Sequence, residues 1–392
     1  MSDTPERLSP RAILEALVAF PTVSRDTNLP LVDWVEAYLA SHGIVSHRYL
    51  DKGGEKAALF AHVGPDISGG VVLSGHTDVV PVDGQDWVSD PFTVVEKDGK
   101  LFGRGTCDMK GFDALAIWAL VEARYANLRT PLQLALSYDE EIGCTGAPPM
   151  IEAMQEVLPK ASAVIVGEPS RLSAVTGHKG GLGWQTHVRG HEVHSSIMHT
   201  GVSAVMQAGE LLAWANAQNA AAAAAEPHPL AQDFDPHWST WHVGVIEGGT
   251  AHNITAKDCS FAMALRVVPG DDPAELEARY KAKVQEVRTA MRAVHPDTSI
   301  TLGRFFDVPP LVPEENGAAE AIVRQLTGDN GTHVVSYATE AGQFQEAGYS
   351  AVVCGPGDIA QAHQPNEFIE ISQMEAGEAF LRKLITLLQG EE

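Results

Sequence analysis

The 392-residue sequence has few cysteines and no long apolar run. Its four cysteines are widely separated and form no CxxC pair, which argues against a disulfide framework or a thiolate zinc site. No stretch of about 18 apolar residues occurs, so we expect no membrane-spanning helix. The polar N-terminal stretch MSDTPERLSP also lacks the apolar core of a secretory signal. Together these absences predict a cytoplasmic protein.

Basic residues are also scarce. The chain has 27 Lys and Arg against 51 Asp and Glu, for a formal net charge of −24. This charge repels phosphate backbones and anionic lipid, so we expect neither nucleic acid nor a membrane as a partner. The hydrophobic content of 44% is normal for a globular protein and too high for a disordered one.

The length predicts two domains, and the first part of the chain alternates helical and strand-like patterns. Apolar periodicity predicts helices at 8–20, 31–42 and 112–127, and buried strands at 71–73, 132–138 and 163–166. Strands that alternate with helices indicate an α/β fold with a mainly parallel sheet.

The pattern changes after residue 177. The order of predicted elements becomes strand, helix, strand, strand, helix, at 183–190, 202–219, 241–246, 260–267 and 273–292. This order indicates a smaller, inserted α+β domain of the β-α-β-β-α-β-like type. We expect the α/β pattern to resume near residue 300 and to include a strand at 351–354. The predicted boundaries are therefore 1–178 and 293–392 for a discontinuous catalytic domain, and 179–292 for the insertion.

Polar residues follow the predicted buried strands. The segments that end these strands, or that precede the helix at 112–127, contain His76, Asp78, Asp108, Glu140, Glu141, Glu168 and His363. In open α/β sheets ligands bind beyond the carboxyl ends of the strands, so these side chains should share one rim. Imidazole nitrogens and carboxylate oxygens are metal ligands. The spacing therefore predicts a dinuclear metallohydrolase.

Each of these residues also has a simpler interpretation. His76 and Asp78 could form an ordinary polar strand end, Asp108 could cap the following helix, and Glu140 with Glu141 could be a solvated turn. It is improbable that polar residues of these types would follow every predicted buried strand by chance, which argues against these simpler interpretations. The spacing does not decide which glutamate of the pair binds metal.

Longer motifs give a specific resemblance. In order along residues 70–370, the chain contains SGHTDVVP, GRGTCDMKGF, DEE, GEPS, HKG, VHSS, GGTAHN, LRVVPG and GPGDIAQAHQPNEF. These segments resemble the M20 metallopeptidase and deacylase family, and they are most similar to its members that act on acetylated ornithine. GRGTCDMKGF and AHQPNEF are the most specific segments, whereas GEPS or HKG alone would carry little weight.

The resemblance implies a two-zinc site, with Co²⁺ as a possible substitute. It implies that Asp108 bridges the two ions, that His76 and Glu168 complete one site, and that Glu141 and His363 complete the other.

The resemblance also implies roles for residues beside the metals. Asp78 would orient His76, and Glu140 would be the general base. Glu168 stands where the carboxypeptidase-like branch of the family usually has Asp, which favours the deacetylase, desuccinylase and aminoacylase branches.

In the insertion, the resemblance implies a dimerisation or lid domain with three substrate contacts, His194, Asn253 and Arg266. His194 would reach the active site of the partner subunit in a homodimer. We also expect Glu340 to lie near the ammonium group of an ornithine substrate.

The expected activity is hydrolysis of an N-acyl amino acid, with N2-acetyl-L-ornithine giving L-ornithine and acetate in arginine biosynthesis. A succinyl-diaminopimelate desuccinylase or a broad-specificity aminoacylase is the alternative within the same architecture. A non-catalytic binding protein of this fold is a remote alternative that predicts a missing ligand or base, and none is missing from the sequence.

Overall fold

The computed structural model describes residues 5–390; the first four residues, which belong to the polar N-terminal stretch, and the last two lie outside the described residues. The chain divides into two compact units. Unit 1 comprises the chain up to Gly177, Pro313–Val334, and the chain from Thr339 onward. Unit 2 comprises His178–Val312 and Val335–Ala338.

The strands are numbered in chain order. They are β1 Ser46–Leu50, β2 Ala57–Val63, β3 Val71–His76, β4 Val95–Lys97, β5 Lys100–Phe102, β6 Leu132–Ser137, β7 Ala163–Pro169, β8 Val175–His178, β9 Gly180–Arg189, β10 Thr240–Gly248, β11 Asp258–Val267, β12 Ser299–Val308, β13 His333–Val335, β14 Ser350–Gly355 and β15 Phe368–Glu370.

The α-helices are numbered in the same way. They are α1 Pro10–Val18, α2 Leu29–Ser41, α3 Lys110–Arg124, α4 Ala147–Val157, α5 Ala204–Ala224, α6 Pro273–Val294, α7 Ala318–Thr327, α8 Ala341–Glu346 and α9 Ile371–Gln389. No helix within residues 5–390 is both long enough and apolar enough to cross a membrane.

An eight-stranded sheet organises unit 1, in the order β1-β2-β6-β3-β7-β14-β8-β13. Its central strands β6, β3, β7 and β14 are parallel, whereas β1, β2 and β8 pair antiparallel. The parallel strands are apolar and almost completely buried, which is the pattern expected when helices cover both faces of a sheet. This confirms the predicted α/β class, with antiparallel strands added at the edges.

Helix α3 is the central helix of this unit. It packs against the sheet and also against α1 and α9, so nearly every one of its residues is buried. Apolar residues lie on every side of α3, and such a helix is stable only in a surrounded position. Because α3 begins at Lys110, two residues after Asp108, its packing fixes the chain that carries this carboxylate.

Unit 2 contains a four-stranded antiparallel sheet, in the order β10-β11-β9-β12, with helices α5 and α6. Side chains of β11 alternate between buried and partly exposed positions, as expected when helices cover one face. The aromatic rings of Trp184, Trp214, Trp241 and Tyr280 pack together in its core.

The insertion extends further than the sequence indicated. We expected the α/β pattern to resume near residue 300, but β12 pairs with β9 along Ser299–Val308 and completes the β-α-β-β-α-β order. Unit 2 therefore continues to Val312 rather than ending at residue 292. The residue pattern of β12 is compatible with an edge position in either sheet. Only its pairing with β9 assigns it to unit 2.

Candidate metal centre

His76 is the last residue of β3, and its side chain is completely buried. The backbone carbonyl of Asp78 accepts a hydrogen bond from Nδ1 of this histidine at 2.9 Å. This contact places a proton on Nδ1, and Nε2 faces the carboxylates of Asp108 and Glu168, in position to bind a metal ion. Nε2 lies 3.1 Å from Asp108 Oδ1 and 3.5 Å from Glu168 Oε1.

The Asp78 carboxylate lies beside the His76 ring and also connects two segments of the chain. Its Oδ1 is 3.6 Å from His76 Nδ1, beyond hydrogen-bonding distance, so the backbone carbonyl is the closer partner of this ring. The two carboxylate oxygens accept hydrogen bonds from the backbone N–H groups of Glu140 and Glu141, at 3.1 and 3.3 Å, and Ser24 Oγ donates to Oδ2 at 2.7 Å. Asp78 therefore holds the segment after β6 beside the segment after β3.

Asp108 lies between two histidines. Its Oδ1 is 3.1 Å from His76 Nε2, and its Oδ2 is 3.1 Å from His363 Nε2. His363 Nε2 is also 3.0 Å from Glu141 Oε2. The carboxylate of Asp108 thus presents one oxygen to each of two neighbouring sets of side chains.

Two groups of ligand atoms result, each with its atoms within 4.8 Å of one another. One group is His76, Asp108 and Glu168, and the other is Asp108, Glu141 and His363. These are the two groups that the resemblance implies. Glu140, the neighbour of Glu141, belongs to neither of them.

The donor chemistry fits divalent cations. Each group offers one imidazole nitrogen and carboxylate oxygens, a set that suits zinc. Glu141 Oε1 is buried and has no hydrogen-bond partner among the described residues, as expected of an atom placed to bind an ion.

The pKa values of the cluster reflect close packing of like charges. Burial and the neighbouring Asp108 raise the pKa of Glu141 to about 7, and burial and the same neighbour raise the pKa of Glu168. Burial also raises the pKa of Glu140 well above its usual range. Hydrogen bonds to Asp108 and Glu141 raise the pKa of His363 to about 10. Positive charge placed among these carboxylates would stabilise their ionised forms.

The substrate-contact candidates of the insertion all lie in unit 2. His194 forms a β-bridge with Ile254, and the backbone carbonyl of Asn253 accepts from Ser195 N at 2.8 Å, so His194 and Asn253 lie close together. Arg266 lies near the opposite end of β11 from Asp258, where its guanidinium stacks 5.4 Å from the Phe306 ring.

Glu340 does not fit the expected contact with a substrate ammonium group. Its side chain is only 1% exposed, and its two carboxylate oxygens accept hydrogen bonds from Ser74 of β3, at 3.2 Å, and Ser137 of β6. Both oxygens already have partners within the sheet. Glu340 instead connects β3, which ends at His76, to β6, which ends at Ser137.

Sequence reasoning missed several buried residues around the ligands. Cys144 Sγ donates to Glu140 Oε1 at 3.2 Å, and Glu367 accepts from the backbone N–H groups of Cys107 and Asp108. Glu367 and its ion-pair partner Arg104 lie inside the two most specific segments, GRGTCDMKGF and AHQPNEF. The sequence signal that could have identified this pair is the presence of one charged residue of opposite sign in each of the two most specific motifs.

The parallel sheet and the two ligand groups at its rim are those of a metallohydrolase. The chain belongs to Peptidase family M20/M25/M40, whose model matches residues 72–387. This confirms the predicted family and enzyme class.

Among the proteins to which the chain is similar, several are acetylornithine deacetylases. The chain is 36% identical to acetylornithine deacetylase of Myxococcus xanthus over 397 residues, covering 98% of each chain. It is 30% identical to acetylornithine deacetylase of Pasteurella multocida (strain Pm70), covering 94% of this chain and 95% of the relative. An M20 family metallo-carboxypeptidase from Sulfolobus solfataricus has a TM-score of 0.78 at 17% identity, covering 97% of this chain and 99% of the other.

Proposed function

We propose that the chain is a two-zinc amidohydrolase that converts N2-acetyl-L-ornithine to L-ornithine and acetate, a step of arginine biosynthesis. The observation that carries the proposal is the position of Asp108, whose two oxygens face His76 and His363 at 3.1 Å each. His76, Glu168, Glu141 and His363 would complete the two sites, and Co²⁺ would be a suitable substitute for Zn²⁺.

Zinc in these groups would polarise the amide carbonyl and lower the pKa of a water molecule toward neutrality. Glu140 is the general base in this proposal. Its Oε1 accepts from Cys144, and its Oε2 lies 3.9 Å from His76 Nε2, on the side of the ligands. Glu140 would take a proton from the attacking water and return it to the departing amine.

His194 would donate a hydrogen bond to the developing oxyanion. The backbone N–H of Ser196 donates to His194 Nδ1 at 3.2 Å, so the proton of the neutral ring is on Nε2. The side chain is exposed, and Nε2–H is therefore available as a donor.

Arg266 would bind the substrate α-carboxylate with its planar fork of donors, and Asn253 would add a contact beside His194. Asp258 and Arg266, at the two ends of β11, are separated by roughly 26 Å of extended strand. His194 and Asn253 lie beyond the Asp258 end, because the backbone N–H of Gly190 bonds Lys257 and His194 bridges Ile254. One small substrate cannot span this distance within a single unit 2, which supports active sites shared between two copies of the chain.

A homodimer has a suitable surface in unit 2. Strand β10 is at the edge of its sheet and exposes Val245 and Ile246, and α5 exposes Val205 and Met206. An exposed apolar edge strand favours pairing with another chain, and pairing with a second copy would satisfy it. We therefore propose unit 2 as the dimerisation domain.

The proposed location is the cytoplasm. Cys107, Cys144, Cys259 and Cys354 are all free and buried, as expected of a protein in a reducing compartment.

The relatives named as acetylornithine deacetylases support acetylornithine over succinyl-diaminopimelate or a broad range of acyl amino acids. The test is a comparison of kcat/KM for Nα-acetyl-ornithine, N-acetyl-methionine and N-succinyl-diaminopimelate. We expect acetylornithine to be preferred by at least about tenfold, the equivalent of roughly 1.4 kcal/mol. A higher value for the succinylated substrate would reassign the enzyme as a desuccinylase, and equal values for both acetylated substrates would make it a broad aminoacylase.

A further inference from the structure

His363 differs from the other candidate metal ligands. Its side chain is 54% exposed, whereas those of the other four ligands are at most 6% exposed. Its backbone φ of 62° lies in the left-handed region, which non-glycine residues rarely adopt. Such a conformation persists only where surrounding contacts fix it, so the segment around His363 needs a specific support.

A buried ion pair lies beneath this segment. Arg104 Nη1 is 2.6 Å from Glu367 Oε2, and the two side chains are 0% and 1% exposed. The other oxygen of Glu367 accepts hydrogen bonds from the backbone N–H groups of Cys107 and Asp108, at 2.9 and 3.1 Å. The ion pair therefore holds the backbone of the bridging ligand Asp108.

Arg104 is also connected, through Gln85, to the segment that contains His363. Arg104 Nη2 donates to Gln85 Oε1 at 2.6 Å, and Gln85 Nε2 donates to the backbone carbonyl of His363 at 3.0 Å. Arg104 also stacks over the Trp87 ring, and Trp87 Nε1 donates to Gln85 Oε1 at 3.0 Å, which fixes the orientation of the amide.

We propose that Gln85, Arg104 and Glu367 are positioning residues for the second metal site, formed by Asp108, Glu141 and His363. The three residues, which we call the brace, connect the backbone at Asp108 to the backbone at His363. Asp108 belongs to both ligand groups, so the contact of the brace that is specific to the second site is the one from Gln85 to His363. This inference rests on the proposed two-metal function.

The brace has a measurable consequence for metal affinity. Residues that orient metal ligands typically change affinity by about 10–100-fold when they are replaced. Loss of the Gln85 contact to His363 should therefore weaken one metal equivalent by about this factor and leave the other unchanged. A residue important only for the fold would weaken both equivalents or lower the yield of folded protein.

The principal variant is Gln85→Ala, because Gln85 is only partly buried and its loss leaves the Arg104–Glu367 pair intact. Gln364→Ala is the matched control: it removes the same type of side chain beside His363, but that side chain donates to Ala360 O and lies outside the brace. Arg104→Lys is a second variant, which keeps the buried positive charge and loses the fork that reaches both Glu367 and Gln85.

The experiment measures bound zinc per chain across a series of zinc buffers, with thermal unfolding as a check on folding. Wild type and Gln364→Ala should bind two equivalents with similar affinities, whereas Gln85→Ala should bind one normally and one about 10–100-fold more weakly. Arg104→Lys, which also loosens the backbone of the shared ligand Asp108, should weaken the second equivalent at least as much. Two unchanged equivalents in Gln85→Ala, or equal weakening of both, would overturn the proposed role of the brace. Failure of the wild type to bind two equivalents would instead overturn the proposed function.

Discussion

Glu140 and Glu141 are neighbours in the chain, but their carboxylates have different partners. Glu141 Oε2 lies 3.0 Å from His363 Nε2, whereas Glu140 Oε1 accepts a hydrogen bond from Cys144 Sγ. Their backbone N–H groups are held together by Asp78, so the different directions of the side chains follow from a fixed backbone. Two consecutive carboxylates therefore have different surroundings, which supports the proposed roles of Glu141 as a metal ligand and Glu140 as the base.

The pair can be separated experimentally. Glu140→Ala should retain nearly all bound metal while kcat falls by about 10²–10⁴, the usual contribution of a general base. Glu141→Ala should instead lose metal from the group that contains His363, because only two of its three ligands remain. Metal content and kcat should be measured on the same preparations. The reverse pattern would exchange the two roles.

Metal removal tests the ligand groups as a whole. The purified protein should contain close to two divalent ions per chain, since five residues form two groups that share Asp108. Dialysis against a chelator should abolish hydrolysis, and Zn²⁺ or Co²⁺ should restore it. Elemental analysis alongside activity provides the measurement, and full activity of the metal-free protein would rule out a metal-dependent mechanism.

Glu340→Gln should change the pH dependence of stability. Burial raises the pKa of Glu340 from 4.5 to about 7, so the folded state binds a proton more strongly than the unfolded state. The contribution of protonated Glu340 to the free energy of unfolding is therefore fully present below pH 4.5 and is lost as the pH rises through 7. Glutamine stays neutral, so the variant should gain up to about 3 kcal/mol relative to wild type between pH 5 and pH 8.

Chemical denaturation of the metal-depleted protein at several pH values measures this difference. Glu346→Gln is the matched control because it lies at the end of α8, the helix that begins directly after Glu340, and its side chain is exposed. A Glu340→Gln difference that stays constant from pH 5 to pH 8 would contradict the raised pKa. Because Glu340 is buried, the variant should also change kcat/KM for acetylornithine and acetylmethionine equally.

His194 should act on the active site of the partner subunit. His194→Ala should retain metal and lose about 10²–10³ in kcat, the usual effect of removing an oxyanion donor. A mixed dimer of His194→Ala and Glu140→Ala chains contains one complete site, with the base from one chain and the histidine from the other. Refolding the two inactive variants together should therefore recover up to about a quarter of wild-type activity, if chains pair at random.

The readout is activity after mixed refolding, compared with each variant refolded alone. Heterodimers should be verified with two affinity tags, one on each chain. Verified heterodimers without recovered activity would show that His194 acts within its own subunit or only supports the fold.

Much of unit 1 could be predicted because its strands are short apolar runs that end in polar residues, as at His76 and Glu140. The pairing of β12 could not be predicted, since an alternating strand fits either sheet and only long-range contacts decide. The burial of Glu340 was missed for a related reason. Its two serine partners lie on strands that are distant in sequence, so the local sequence around Glu340 looks like an accessible loop.

The neighbouring positions of β7 and β14 in the sheet have a consequence for protein synthesis. β7 ends at Pro169 and its parallel neighbour β14 begins at Ser350, with all of unit 2 encoded between them. At the usual rate of translation the ribosome needs roughly ten to forty seconds to make this interval. During that time one edge of β7 has no partner strand, and unpaired strand edges promote aggregation. A nascent chain therefore has the insertion ready to fold while the sheet that carries the candidate metal ligands is still incomplete.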